Sequence, residues 1–224
     1  MRLTRQRQPS DGPGCHRFAH HPLLMLYQRQ IIAYHGCLRP RFEGALLNGI
    51  TPPFSQERYD WLGKGIYFWE RGPERALAWA RSKAVRMGVD PAEARVLGAI
   101  IQLGNCLDLL DTHATEKLAL SYESLADEAR ALGVDMPKNS AKNVGGDVLK
   151  RYLDRLVIDF AIDEMRTSIP IQTVRGAFWE GGAAFCGSAI QKKSHIQVAV
   201  RDTACIIGYF RPRIISPRVS HDHE

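Results

Sequence analysis

The chain has 224 residues, 45% hydrophobic and 24% charged, with a formal net charge of +6. This composition excludes a wholly disordered or fibrous chain, and the length suits one domain with a full hydrophobic core. Apolar runs such as Val96 to Leu103 fall far short of the roughly 18 to 20 residues a membrane-spanning helix needs.

Residues 1–29 carry Arg2, Arg5, Arg7 and Arg17 against one acid, Asp11, and read as a basic, poorly ordered arm. Its apolar patch, Leu23 to Tyr27, is too short for a secretory core. Arg211, Arg213 and Arg218 repeat the excess near the other end. Such a fringe assists binding to a polyanion and is equally a solubility device. The five cysteines, Cys15, Cys37, Cys106, Cys186 and Cys205, form no C-x-x-C pair. They read as small buried hydrophobes in a reducing compartment, with cytoplasm the expected location and no metal expected.

QIIAYHG, residues 30–36, reads as a strand delivering Tyr34 and His35 to a loop. GIYFWE, residues 65–70, reads as a second strand. The segment opened by Pro73 places Leu77, Ala80, Ala84 and Met87 at helical spacing and ends at Gly88, which predicts a helix. RVLGAIIQL, residues 95–103, predicts a buried strand closed by Gly104 and Asn105. Residues 114–133 carry a stripe of Leu118, Tyr122, Leu125, Ala129 and Leu132, and residues 147–165 a second, both predicting amphipathic helices. Between them, 134–146 reads as a loop. Short strands are expected at 171–178, in SHIQVAVRD after the glycine-rich loop WEGGAAFCGSA, and in ACIIGYFRP. In SHIQVAVR, Ile196, Val198 and Val200 fall on one face, and His195, Gln197, Ala199 and Arg201 on the other. The pattern predicts a single α+β domain over 30–213, with a helical insertion or flank at 114–165 and a tail at 214–224 that contains His221 and His223.

Three pieces carry the chemistry: YHG at 34–36, GKGIYFW at 63–69, and the late loop and strand with Glu180 and Gln197. In this order they resemble the ADP-ribosyltransferase superfamily of the poly-ADP-ribose-polymerase and diphtheria-toxin type, with Gln where the late strand of that family usually has Glu. The resemblance implies two small packed sheets forming an NAD cleft, with NAD as co-substrate and a protein or nucleic acid as acceptor. It also implies that His35 bonds a ribose hydroxyl, that the Gly36 backbone holds the carboxamide and that Tyr67 stacks on nicotinamide. Without side chains at Gly63 and Gly65, backbone can approach a dinucleotide closely. Gln197 or His195 must fill the late position, and Gln197 is favoured because its amide can accept from a ribose hydroxyl. Glutamine is no general base, so Glu180 stands as the reserve base. Trp61 and Trp179 are candidate platforms for a base or ring. Asp60 and Glu70 read as surface or capping residues. By fold-level analogy such an enzyme suits a toxin or defence protein held by an inhibitory, antitoxin-like partner. The rivals are an NAD, ADP-ribose or nucleic-acid-end binding module without catalysis, and an RNA 2′-phosphotransferase.

Overall fold

The computed structural model describes residues 26–55, 57–142, 148–166 and 170–213. Residues 1–25 of the basic arm, with Cys15, and the tail from 214 with its two histidines lie outside them, whereas residues 26–29 of the expected arm belong to the first strand.

β1 (Leu26–Leu38) does not stop at Gly36, because its amides and carbonyls remain paired with β3 (Ala94–Asp108) as far as Leu38. His35 is therefore within a strand. α1 (Arg39–Asn48) follows with Pro40 in its first turn and Gly49 at φ 64 as its cap. The sequence pattern misses this helix because its apolar stripe is thin, with only Phe42 and Ala45 buried. β2 (Ile66–Glu70) and α2 (Pro73–Arg86) come next. In α2, Glu74 in the first turn and Lys83 and Arg86 in the last suit the helix dipole, and Ala76, Ala80 and Ala84 form its buried face. That small-residue face lets the helix lie against β1. A Cβ on Gly36 would stand 2.2 Å from the Ala76 carbonyl oxygen.

After β3, α3 (Thr112–Ala131) leads to a small hairpin of β4 (Ser140–Lys142) and β5 (Val148–Lys150). The second amphipathic helix consequently begins later than its pattern suggests, as α4 (Tyr152–Met165). Its first amides are capped from outside, the Asn139 amide oxygen accepting from Leu153 and Asp154. β6 (Thr173–Phe178), β7 (His195–Val200) and β8 (Ile206–Phe210) complete the mixed α+β fold.

The six longer strands run in the order β1-β2-β7-β6-β3-β8, and β1 also pairs with β3, so five of them close a circuit. With β8 paired to the outer edge of β3, the sheet has two three-stranded halves, β1-β3-β8 and β2-β7-β6. The halves are joined by short links: Ala33 and Tyr34 to Glu70 and Trp69, and Cys106 to Asp108 to Thr173 to Arg175. Inside the circuit Ile31, Ala33, Phe68, Ile101, Val198 and Val200 make the core. On the outside, Ile158 and Ile162 of α4 cover Leu62, Val174 and Ala199, so this helix is a layer of the domain.

The interior also holds charge. Arg175 Nε donates to Glu70 at 2.7 Å and Nη1 reaches Asp108 at 3.0 Å, with all three side chains 6 to 7% exposed. Glu70 is thus a core ion-pair partner, not the surface or capping residue its position suggests. Asp60 is likewise enclosed beside Arg155 at 3.4 Å, and burial raises its carboxyl above the usual range. Cys37, Cys106 and Cys205 are buried as expected, while Cys186 is exposed on the 181–193 excursion.

Candidate functional site

Residues directly opposed in antiparallel strands share a face, and Tyr34, Trp69, Gln197 and Gly176 stand opposed in one row across β1, β2, β7 and β6. This is the outer face. Alternation then assigns His35 to the interior side, beside Phe68, with ring centroids 5.6 Å apart. The structure divides the sequence-predicted residues accordingly. Gln197, Glu180, Trp61 and the Tyr67 ring gather outside, and His35 stands across β2 from them.

His35 occupies the seam where β1 leaves β2. Past Tyr34 the ladder ends, and the His35 Nδ1 takes the Tyr67 carbonyl oxygen at 2.8 Å. A carbonyl only accepts, so Nδ1 carries the proton and Nε2 is the acceptor of the neutral ring. Burial is the main reason its pKa falls to about 4, with Lys83 and Arg41 adding to the effect and the Tyr67 bond opposing it. Because the unfolded ring binds a proton near pH 6.5 and the folded ring does not, stability should fall as the pH drops from 6.5 to 4, by up to about 3 kcal/mol. Urea midpoints across that window check this: His35→Gln should remove most of the slope.

Tyr67 does not present its hydroxyl to an open cleft. It donates to the Gly63 carbonyl at 2.7 Å and accepts from the Leu62 amide at 2.9 Å, tying the 61–65 loop to the strand. Tyr67→Phe should cost about 1 to 3 kcal/mol, because a half-buried amide and carbonyl lose their partner, measured by chemical denaturation. Gly63 needs its freedom, at φ 78, and a Cβ there would meet Asp159 at 2.7 Å. A Cβ on Gly65 would stand 2.9 Å from that of Ala199. These glycines let the loop settle onto α4 and β7, and Gly36 lets α2 settle onto β1.

The outer face carries a dense polar cluster. Glu180, 8% exposed, is held by Arg75 at 2.6 Å, and its carboxylate lies 3.7 Å from His195 Nδ1. That Nδ1 donates to the Lys193 carbonyl at 2.7 Å, so neutral His195 presents a bare Nε2, which accepts from the Gln197 amide nitrogen at 3.1 Å. Burial, then Arg75 and Arg151, keep the His195 pKa low. The chain of bonds fixes the Gln197 amide, whose Oε1 makes no hydrogen bond among the described residues. Trp61 packs on Phe178 at 4.5 Å with the Arg151 guanidinium 4.5 Å above its ring. Trp179 is 66% exposed.

Beside this cluster opens an aromatic-walled cavity of about 710 Å³, lined by Trp61, Tyr122, Arg151, Gly176, Phe178 and Trp179 among others. One buried donor on its wall, Arg151 Nε, has no hydrogen-bond partner among the described residues, and neither do Trp69 Nε1 and Arg75 Nε on the same outer face. A buried donor without a partner is costly, so each of these calls for an acceptor, from water or from a ligand. The arrangement can hold a flat ring against aromatic walls, accept a hydroxyl at Gln197, and set a fixed carboxylate next to both.

Sequence reasoning missed Arg75, Arg151 and Trp69. One signal for Arg75 was available: a cation in the first turn of a helix opposes the dipole, so it wants an acid from elsewhere in the fold. Among the described residues there is no group of His, Cys, Asp and Glu that could hold a metal ion, and no helix long and apolar enough to cross a membrane. Set against known proteins, the chain matches no family model, no curated protein and no solved structure.

Proposed function

We propose that this chain transfers ADP-ribose from NAD to a macromolecular acceptor, protein or nucleic acid, and releases nicotinamide. The observation that carries this reading is the adjacency of β1, β2 and β7. The three strands bearing the H-G, G-x-G-I-Y-F and late polar motifs stand side by side, although they are far apart in sequence. The outer-face cavity suits a nicotinamide ring between aromatic walls, and the unpartnered donors suit carboxamide and phosphate oxygens. In the reaction the bond from ribose C1′ to the nicotinamide nitrogen breaks, its electron pair leaving with nicotinamide. The acceptor heteroatom then bonds C1′ and gives up its proton. Gln197 Oε1 holds a ribose hydroxyl, and Glu180 offsets the positive charge at C1′ and takes the acceptor proton. His35, on the interior side, fixes β2 through the Tyr67 carbonyl and acts as a positioning residue.

A second reading draws on one observation: Glu180 is already neutralised by Arg75 at 2.6 Å, which favours a binding module that recognises NAD or ADP-ribose without turnover. Incubation with NAD labelled in its adenylate half separates the readings. Label on protein or nucleic acid, with stoichiometric free nicotinamide, is the expected result. Free ADP-ribose alone means hydrolysis, and bound, unconverted NAD means a module; either outcome overturns transfer.

A further inference from the structure

A second cavity, of about 700 Å³, opens at the far end of the β1-β3-β8 half, between α1 and α2. Four arginines line it: Arg39 opening α1, Arg81 on α2, Arg95 opening β3, and Arg211 just past β8. Glu43 is the one acid among the lining residues and makes no ion pair among the described residues, while Glu93 takes Arg39 at 2.9 Å and Asp90 accepts from the Ala92 amide at 2.8 Å beside the cavity. The four guanidiniums still outnumber these carboxylates.

The guanidiniums are also short of acceptors. Arg95 spends Nη1 on the carbonyls of Ala92 and Ala94, Arg211 lies over the Phe42 ring at 5.4 Å, and Arg81 makes no hydrogen bond or ion pair among the described residues. The first turn of α1 aggravates the imbalance. It has no acidic residue, Leu38 supplies no side-chain cap, and Arg39 and Arg41 place cations at the positive end of the helix dipole. Like charges gathered there raise the energy of the empty cavity, and a dianion would offset it.

We infer that this cavity binds the diphosphate of a nucleotide. Planar guanidinium forks match phosphate oxygens two at a time, and four of them around one cavity suit a diphosphate better than a single carboxylate. The walls between the arginines, Phe42, Leu77 and Val96, are apolar and can take the attached nucleoside. A cavity of this size falls within the range of about 300 to 1,000 Å³ usual for small-molecule sites. The inference does not depend on the transferase reading, since ADP carries no nicotinamide and the Glu180 cluster takes no part in it.

Calorimetric titration of the full chain with ADP, inorganic pyrophosphate, adenosine and a short single-stranded oligonucleotide tests it. ADP should bind, pyrophosphate more weakly, and adenosine at least tenfold more weakly than ADP. Arg81→Gln with Arg211→Gln should lower ADP affinity at least tenfold, while Glu43→Gln, which removes an opposing charge, should raise it about threefold. Arg81 and Glu43 are exposed, so both substitutions leave the fold intact. Absence of ADP binding, ADP binding indifferent to all three changes, or oligonucleotide binding through Arg81 without ADP binding would each overturn the proposal. If ADP binds as described but NAD is never turned over, the transferase reading fails and the anion site stands.

Discussion

Arg175→Met is expected to destabilise the fold by about 3 to 5 kcal/mol, the cost of removing one partner from a buried ion pair. Its guanidinium serves two carboxylates from different strands, Glu70 at 2.7 Å and Asp108 at 3.0 Å, inside the strand circuit. Arg29 approaches Glu70 only at 3.4 Å and is half-exposed, so it is a poor substitute. Without Arg175, two acids face each other in an apolar interior. Arg175→Lys restores charge but not the fork that reaches both, and should fall between the two proteins. Removing all three charges together, as Glu70→Gln, Asp108→Asn and Arg175→Met, should recover much of the loss. Urea unfolding reads the series, and a loss below about 1 kcal/mol in the single variant would mean that water reaches the triad.

Glu180→Gln carries the second large effect. If Glu180 offsets charge at the ribose carbon and accepts the acceptor proton, nicotinamide release should fall by about 10²- to 10⁴-fold. The amide keeps the shape and can still face Arg75, so NAD affinity should change far less than turnover. The split between kcat and KM is the readout. A fall in affinity with unchanged kcat would make Glu180 a binding residue only, and unchanged kinetics would remove it from the site.

Several elements are legible in the sequence because their cause is local. Pro73 and Gly88 bracket α2, the alternation in SHIQVAVR assigns each residue of β7 to its face, and Gly63 sits where the backbone turns left-handed. What escapes is decided between distant segments. Alternation fixes parity within a strand, but whether His35 shares a face with Gln197 depends on how β1 registers against β2 and β2 against β7, and that register puts them on opposite sides. Glu70 looks like a strand-end surface acid until Arg175, 105 residues away, supplies its partner. Gly36 teaches a related lesson. The need for close approach is readable, yet the neighbour that approaches is the Ala76 backbone. The Tyr67 hydroxyl, spent on its own loop, leaves no trace in composition.

The circuit of strands has a consequence for synthesis. β2 and β3 emerge early, but the partners that seal them, β7 for the one and β6 with β8 for the other, lie beyond residue 172. Until those segments leave the ribosome, both strands present unpaired amides and carbonyls to neighbouring nascent chains. Assembly that waits on contacts so remote along the polypeptide is intrinsically slow. A chain interrupted after α4 should therefore accumulate as insoluble material instead of a stable half-domain.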